Sequence, residues 1–377
     1  MYGMIKFSDW EIRKETKYSK LSYYYKGEKI EEKELKKNIK QEQIECAKEM
    51  FKSNKIKENA FSHSDIIEIK IPENIELIET SAFYNCNKLE NVIMSNSVNK
   101  IEGNVFAICD NLKNIKLSNS LNDIGFYAFE NCSSLTSIEI PEGVKEIENG
   151  VFRNCTNLVE IIIPNSVTSM GTSAFYGCTG LKSVEIPDSI LNIGAKIFGG
   201  CTSLTDVNIP NNVTNIGNSV FERCKNLKKV KLSDDLTSID SYMFYECTEL
   251  TNIEIPKNVT SIGNSAFFGC KHLTNITIPE NVTSIRNSVF RGCTELTNIE
   301  IPKNVKKIER NAFINCENLK KIIIHNKDIE IEPNAFDKNT RIIIIKDEEK
   351  DLDTIINDYT IKENKNINLS QDDIIKD

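Results

Sequence analysis

A unit of 23 residues repeats along most of this chain and limits the structures that the chain can adopt. The clearest copy runs from Leu250 to His272, and Leu273 begins the next copy. From Phe83 to Phe313, a Cys follows each Phe of the repeat by three residues, and a Leu follows that Cys by three more. The first step between these Phe residues is 22 and every later step is 23, with Phe at 61, 83, 106, 129, 152, 175, 198, 221, 244, 267, 290, 313 and 336. A fixed period of this length predicts one stacked repeat domain rather than several globular domains.

The apolar residues of one copy alternate as in a short strand and then return to the same side. Ile253 and Ile255 share a face because they are two residues apart, and Pro256 ends the strand because it lacks an N–H. Burial contributes on the order of 2 kcal/mol for each inward residue, whereas ordering each backbone costs about 1–2 kcal/mol. One copy alone is therefore not expected to fold. Eight of its residues are predicted to face inward: Leu250, Ile253, Ile255, Val259, Ile262, Ala266, Phe267 and Cys270.

Stacking of the copies predicts a solenoid of about thirteen coils over residues 60–346. Each coil is expected to carry one short parallel strand about 4.8 Å from the next. Asn264 or Ser265 is expected to cap a brief helical turn within its coil. The repeated Phe and Cys residues should then form internal columns.

The two ends of the chain lie outside the repeat. Residues 1–59 are interpreted as an N-terminal cap, with a hairpin from Leu21 to Ile30 that turns at Gly27 and an amphipathic helix from Glu31 to Lys52. The repeats close with a strand predicted over residues 342–345. Residues 347–377 are interpreted as an acidic cap or tail that contains a short helical lid at Ile355, Ile356, Tyr359 and Ile361.

Charge and hydropathy narrow the class of protein. The net charge of −8 argues against a general affinity for nucleic acid, which needs a concentrated basic surface. No apolar run reaches the roughly 18 residues of a membrane span. Acidic and basic side chains occupy the start of the chain, where a signal peptide would be apolar. We therefore expect a cytoplasmic protein without membrane insertion, with export to the surface by a non-classical route as the alternative.

The unit LxxIxIPxxVxxIxxxAFxxC resembles the BspA-like class of bacterial leucine-rich repeats, which is related to the Treponema leucine-rich repeat proteins. The resemblance covers residues 60 to about 346. It implies a right-handed solenoid with a parallel sheet on its concave side, and no common catalytic site. Similar proteins are surface adhesins and interaction proteins whose ligands are often host or matrix proteins. Four copies depart from the usual Pro of the unit, at Ser95, Ser118, Ser233 and His325.

The cysteines and histidines, which could form a catalytic or metal site, are better explained by structural roles. Eleven of the twelve Cys residues share one repeat position beside Phe, and no CxxC motif occurs, so we expect free buried thiols. His63, His272 and His325 lie too far apart along the stack to form a metal site. No glycine-rich phosphate motif is present. The sequence therefore predicts no enzyme activity, no cofactor and no metal.

The strand positions that face outward vary from copy to copy, while the inward positions do not. Variation is expected of any solvated surface, but it also suits a binding face. An acidic group, Glu139, Glu160, Glu185 and Asp206, surrounds an outward Ile162 and favours a basic partner that also makes an apolar contact. The full set of candidate partner-binding residues is Glu139, Glu160, Ile162, Glu185, Asp206, Asn208, Lys231, Asn252 and Glu254.

Two functions remain open at this point. The first is a non-catalytic scaffold that binds protein partners through the concave strand face, in the manner of an adhesin. The alternative is a cytosolic structural or regulatory module that acts through its non-repeat ends. The chain is expected to be a monomer.

Overall fold

The computed structural model describes residues 1–345. The chain divides into two compact units, Met1–Leu204 and Thr205–Asp377. The acidic tail and the helical lid predicted within residues 347–377 lie outside the described residues.

The first unit opens with an antiparallel sheet of strands that pair in chain order. Lys26 and Gly27, with φ of 47° and 85°, form the turn between its third and fourth strands, within the segment where a hairpin was predicted. Two positive φ values in a two-residue turn match the twist of the flanking strands. The four strands are Gly3–Phe7 (β1), Trp10–Lys14 (β2), Ser22–Tyr25 (β3) and Glu28–Ile30 (β4).

Two helices follow in place of the single helix predicted from Glu31 to Lys52. They are Glu32–Leu35 (α1) and Gln41–Met50 (α2). The helix breaks because Lys40 adopts φ −56° and ψ 134°, outside the helical region, and because the Asn38 side-chain amide donates to a backbone carbonyl of α1. The prediction of one helix is therefore wrong, although α2 buries an apolar face of Ile44, Ala47 and Met50.

Most coils of the first unit carry two short strands, so the prediction of one strand per coil is wrong. All pairings between these strands are parallel, in the orders β6-β8-β10, β12-β14, β5-β7-β9-β11 and β13-β15-β16. The second strand was missed because it is only two residues long. The strands are Lys55–Ile56 (β5), Glu68–Lys70 (β6), Leu77–Ile78 (β7), Asn91–Ile93 (β8), Lys100–Ile101 (β9), Asn114–Lys116 (β10), Asp123–Ile124 (β11), Ser137–Glu139 (β12), Glu146–Ile147 (β13), Glu160–Ile162 (β14), Ser169–Met170 (β15) and Asn192–Ile193 (β16).

The second unit repeats this arrangement. Parallel pairing joins β17-β19, β20-β21-β22-β24-β26 and β23-β25-β27, and β27 is the strand predicted to end the repeats. Its strands are Asp206–Asn208 (β17), Asn215–Ile216 (β18), Lys229–Lys231 (β19), Ser238–Ile239 (β20), Ser261–Ile262 (β21), Ser284–Ile285 (β22), Asn298–Ile301 (β23), Lys307–Ile308 (β24), Lys321–Ile324 (β25), Glu330–Ile331 (β26) and Arg341–Ile344 (β27).

The repeated Phe side chains form the column that the period predicts. In the first unit, successive rings from Phe61 to Phe198 lie 5.2–5.7 Å apart between centroids and within 9° of parallel. In the second unit, rings from Phe221 to Phe336 lie 5.2–5.5 Å apart. Such spacing is typical of offset-stacked aromatic pairs. The parallel-strand solenoid of about thirteen coils is therefore confirmed.

The helical turn predicted at Asn264 or Ser265 is replaced by a chain of tight turns. Ser265 has φ of 53°, a left-handed conformation through which a right-handed helix cannot continue. The backbone N–H groups of this segment donate to the next coil instead: Ser265 to the Asn287 carbonyl and Phe267 to the Val289 carbonyl, both at 2.9 Å. These turns therefore form another row of hydrogen bonds between coils.

Candidate protein-binding face

In the first unit, strands β12 and β14 place three candidate residues on one outward surface. Glu139 pairs in register with Ile162, and Glu160 pairs with Ser137. Ile138, between the outward residues of β12, is only 5% exposed. Successive side chains of the strand therefore alternate between the core and the surface. Ile162 is 54% exposed, an unusual position for an aliphatic side chain within a strand.

Glu185 continues this surface on the following coil. It lies outside the named strands, but Val184 and Ile186 on either side of it are buried, so its side chain faces outward as predicted. Within residues 1–345, the structure records no ion pair for Glu139, Glu160 or Glu185. The three carboxylates therefore present negative charge around Ile162 without a recorded ion pair in that range.

The candidate residues of the second unit have a different setting. Asp206 pairs in register with Lys229, and Asn208 pairs with Lys231. Because each lysine lies beside an acidic or amide side chain, this part of the face carries mixed charge. Asn252 forms an isolated bridge with Asn275 and is exposed, as is Glu254.

The N-terminal strands extend the sheet of β6, β8 and β10, which the sequence did not reveal and which carries none of the candidate residues. Strand β1 pairs antiparallel with β6, placing Lys6 beside Glu68 and Met4 beside Lys70. The sheet order is β10-β8-β6-β1-β2-β3-β4. Arg13 of β2 forms an ion pair with Glu11, and its guanidinium lies 4.3 Å from the Tyr24 ring centroid. These strands lie outside the repeat period, so no repeat signal could have assigned them to this sheet.

A cleft of about 790 Å³ opens on the second unit. The outward residues Asn275, Thr277, Glu300 and His325 contribute to its lining. The Nε2 atom of His325 lies 3.5 Å from a Glu300 carboxylate oxygen. None of these residues was among the candidates, although the replacement of the repeat's Pro by His325 was a signal for this position.

The cysteine column has a specific hydrogen-bonding role. The Cys155 thiol donates to the Phe129 carbonyl of the preceding coil at 3.1 Å, and the Cys132 N–H donates to that same carbonyl at 3.2 Å. Burial raises the pKa of the Cys155 thiol well above its ordinary value, which keeps the S–H donor protonated. All twelve Cys residues are free thiols and eleven are buried.

The histidines have separate surroundings. His63 lies 2.8 Å from the Asn85 amide, and His272 lies 3.5 Å from Glu249 and 3.7 Å from Glu295. Across the part of the chain that the structure describes, no three His, Cys, Asp or Glu residues are grouped to hold a metal ion. In that same part, no helix has the length and apolar character needed to cross a bilayer.

Comparison with known proteins agrees with this architecture. The chain matches the BspA type leucine-rich repeat region, in six copies, over residues 54–182, 168–294 and 260–370. None of the curated proteins compared with the chain matches it.

Several solved structures share the fold. A leucine-rich repeat protein from Bacteroides ovatus is 32% identical, with 78% of this chain and 87% of that chain covered and a TM-score of 0.60. A leucine-rich cell surface protein from Faecalibacterium prausnitzii is 27% identical, with coverage of 78% and 84% and a TM-score of 0.54. A leucine-rich repeat protein from Eubacterium ventriosum, at 24% identity, 79% and 90% coverage and a TM-score of 0.51, shares the fold alone. Since the repeat match spans most of the sequence and the stacked coils bear it out, the chain belongs to the BspA-type leucine-rich repeat family.

Proposed function

We propose that this chain is a non-catalytic scaffold that binds a basic protein partner through an acidic patch formed by Glu139, Glu160, Ile162 and Glu185. One observation carries the proposal: three carboxylates for which no ion pair is recorded within residues 1–345 lie around an isoleucine that is 54% exposed. Two of these carboxylates and the isoleucine lie on β12 and β14, which pair in register. Leucine-rich repeat proteins are generally non-catalytic scaffolds and commonly bind proteins, which supports this reading.

The carboxylates and the isoleucine of the patch contribute to binding in different ways. The carboxylates steer a basic partner toward the face and raise the association rate. Ile162 supplies an apolar anchor. Because only 54% of its surface is exposed, its complete burial by a partner contributes about half of the 1.5–3 kcal/mol of a fully exposed side chain, about 0.8–1.6 kcal/mol. A partner that fits the patch therefore presents an apolar side chain flanked by lysine or arginine.

Two cellular settings are compatible with this binding. The Faecalibacterium prausnitzii relative is described as a cell surface protein, which supports an adhesin-like role in which the partner is a host protein. The alternative, a cytoplasmic module that acts through its non-repeat ends, is supported by strands β1–β4, which form one sheet with β6, β8 and β10 and so add a surface that does not include the acidic patch. Protease treatment of intact cells separates the two, because only a surface-exposed chain is cleaved.

The proposal is tested with the full chain and a charge-reversed variant, Glu139→Lys with Glu160→Lys and Glu185→Lys. Proteins captured from host-cell or source-cell extract are identified by quantitative mass spectrometry, and the affinity of the purified partner is then measured. We expect the variant to bind at least about tenfold more weakly and to associate more slowly.

A matched control carries three reversals at exposed acids that lie outside β12 and β14 and their sheet: Glu73→Lys, Glu76→Lys and Glu146→Lys. The control has the same net charge as the patch variant and should bind the partner with the affinity of the native chain. Equal affinity of the patch variant and the native chain would discard the acidic patch as the binding site.

A further inference from the structure

One outward column of the first unit has a charge pattern that is complementary to itself. The column follows one position of the 23-residue repeat through β6, β8, β10, β12, β14 and the next coil. Pairing in register joins β6, β8 and β10 in one sheet and β12 and β14 in another. Its first half is basic, apolar, basic, and its second half is acidic, apolar, acidic. In order, its residues are Lys70, Ile93, Lys116, Glu139, Ile162 and Glu185.

The side chains of this column are available for contact. Ile93 is 39% exposed and Ile162 is 54% exposed. The Lys70 ammonium donates to the Met1 carbonyl at 2.6 Å, which leaves it two further N–H donors. Lys116 is exposed, and no ion pair is recorded for it within residues 1–345.

The charges of this column are not paired along the stack, although such pairing occurs elsewhere on the first unit. Lys100 and Asp123 on neighbouring coils lie 2.7 Å apart, and Lys113 and Glu90 lie 3.2 Å apart. Lys116 and Glu139 have opposite charges on neighbouring coils as well, yet the structure records no ion pair between them. Both charged groups are therefore exposed and available for contact with a partner.

A second copy of the chain presents the matching pattern when its column runs in the opposite direction. A two-fold axis between Lys116 and Glu139 sets each of these residues against the other on the partner copy. The same axis sets Lys70 against Glu185 and Ile93 against Ile162. Such an interface is isologous, since every contact between residues i and j occurs twice.

We propose that the first unit mediates a two-fold homodimer through this column. The inference rests on the proposed function, because it identifies the basic partner of the acidic patch as the basic half of a second copy. It replaces the monomer that was expected from the sequence.

The neighbouring outward column is compatible with the same arrangement. The two-fold axis sets Asn91 against Glu160 and Asn114 against Ser137, so an amide can donate to the carboxylate and no like charges meet. A shift by one coil would instead set Lys70 against Ile162 and bury a charge against an apolar side chain. The charge pattern therefore selects one register.

The size of this surface predicts a weak association. Six coils at about 4.8 Å spacing give a contact about 24 Å long and two columns wide. This is smaller than a standard stable interface and typical of transient complexes. Because four ion pairs form across the two-fold, association should weaken strongly as salt rises.

Sedimentation velocity of the full chain over a concentration series tests the proposal. In low salt, we expect a reversible monomer–dimer equilibrium. In 0.5 M salt, about ten times the ionic strength of the low-salt buffer, the dissociation constant of the dimer should rise at least tenfold. Two charge-reversed variants, Lys70→Glu with Lys116→Glu and Glu139→Lys with Glu185→Lys, should each lose the dimer. Circular dichroism checks that both variants are folded.

Mixing the two variants is the decisive measurement. One variant has a fully acidic column and the other a fully basic column, so neither associates with itself but an equimolar mixture should recover the dimer. The control Lys257→Glu with Lys271→Glu changes exposed lysines of the second unit and should dimerise like the native chain.

The results separate this inference from the proposed function. A native chain that stays monomeric up to about 200 µM, well above the Kd of a weak interface, would overturn the dimer. A mixture that stays monomeric would overturn it as well. If the native chain is monomeric and captures a protein that the acidic-patch variant no longer binds, the homodimer is refuted and the proposed function is supported. If the native chain dimerises and the patch captures no other protein, the homodimer is supported and the binding of a different basic protein is refuted.

Discussion

The Phe column predicts how much stability a ring gains from its stacked neighbours. Phe152 lies between Phe129 and Phe175, with centroids 5.6 Å away on each side and interplanar angles of 4° and 6°. Phe61 is also fully buried, but its one stacked Phe among the described residues is Phe83, at 5.3 Å. Replacing Phe by Leu therefore removes two aromatic pairs at position 152 and one at position 61.

The magnitude of the difference follows from the number of pairs. Each stacked pair contributes about 0.5–1.5 kcal/mol beyond the burial of its area. Phe152→Leu should lower the free energy of unfolding by about 1–3 kcal/mol through lost pairs, and Phe61→Leu by about half as much. The change of side-chain shape costs a similar amount at both buried sites. The two variants should thus differ by about 0.5–1.5 kcal/mol.

Urea unfolding of the full chain, followed by far-UV circular dichroism, measures this difference. Stacked repeats can open in part, so hydrogen exchange of the Phe152 amide, which donates to the Ala174 carbonyl at 2.9 Å, provides a local check. Equal destabilisation by the two variants, or a larger effect at Phe61, would refute a stabilising role for stacking beyond burial.

Two further predictions concern a buried thiol and an ion-paired carboxylate. Cys155→Val keeps the side chain apolar but removes one of the two donors to the Phe129 carbonyl, so it should lower the free energy of unfolding in urea by about 0.5–1.5 kcal/mol. Cys155→Ser keeps a donor and should cost less. Hydrogen bonds from Lys36 and Lys48 lower the pKa of Glu32 from 4.5 to about 2. The stability from Glu32 is therefore fully present above about pH 4.5 and is lost as pH falls toward 2, so Glu32→Gln should flatten this part of an acid unfolding series. An unchanged acid dependence in the variant would contradict this role of Glu32.

The inward residues could be predicted because burial follows directly from the repeat. All eight residues assigned to the core of the copy from Leu250 to His272 are buried. Strand alternation and the fixed period determine these positions without any knowledge of the neighbouring coils. The same reasoning placed the nine candidate residues outside, and each of them is exposed.

Other features could not be predicted because they depend on contacts between distant segments or on backbone geometry. The pairing of β1 with β6 joins segments far apart in the sequence, and nothing in the composition of residues 1–59 specifies that partner. Ser265 adopts a left-handed conformation that its residue type does not demand, since it is imposed by the stacking of the coils. The cleft near His325 likewise depends on the packing of side chains from several coils.

The position where the cysteine column begins indicates that its thiols have a structural role, as hydrogen-bond donors to buried carbonyls. Cys86 donates to the Phe61 carbonyl at 3.0 Å, and Phe61 is the first Phe of the repeat. One coil earlier, no preceding Phe carbonyl of the repeat exists, and Ser64 stands at the Cys position. A buried carbonyl has two lone pairs to satisfy, so the donor is needed only where a preceding coil supplies that carbonyl. Because this requirement recurs in each coil from Phe83 to Phe313, the interior of these coils is held constant, and differences in binding are left to the outward strand positions.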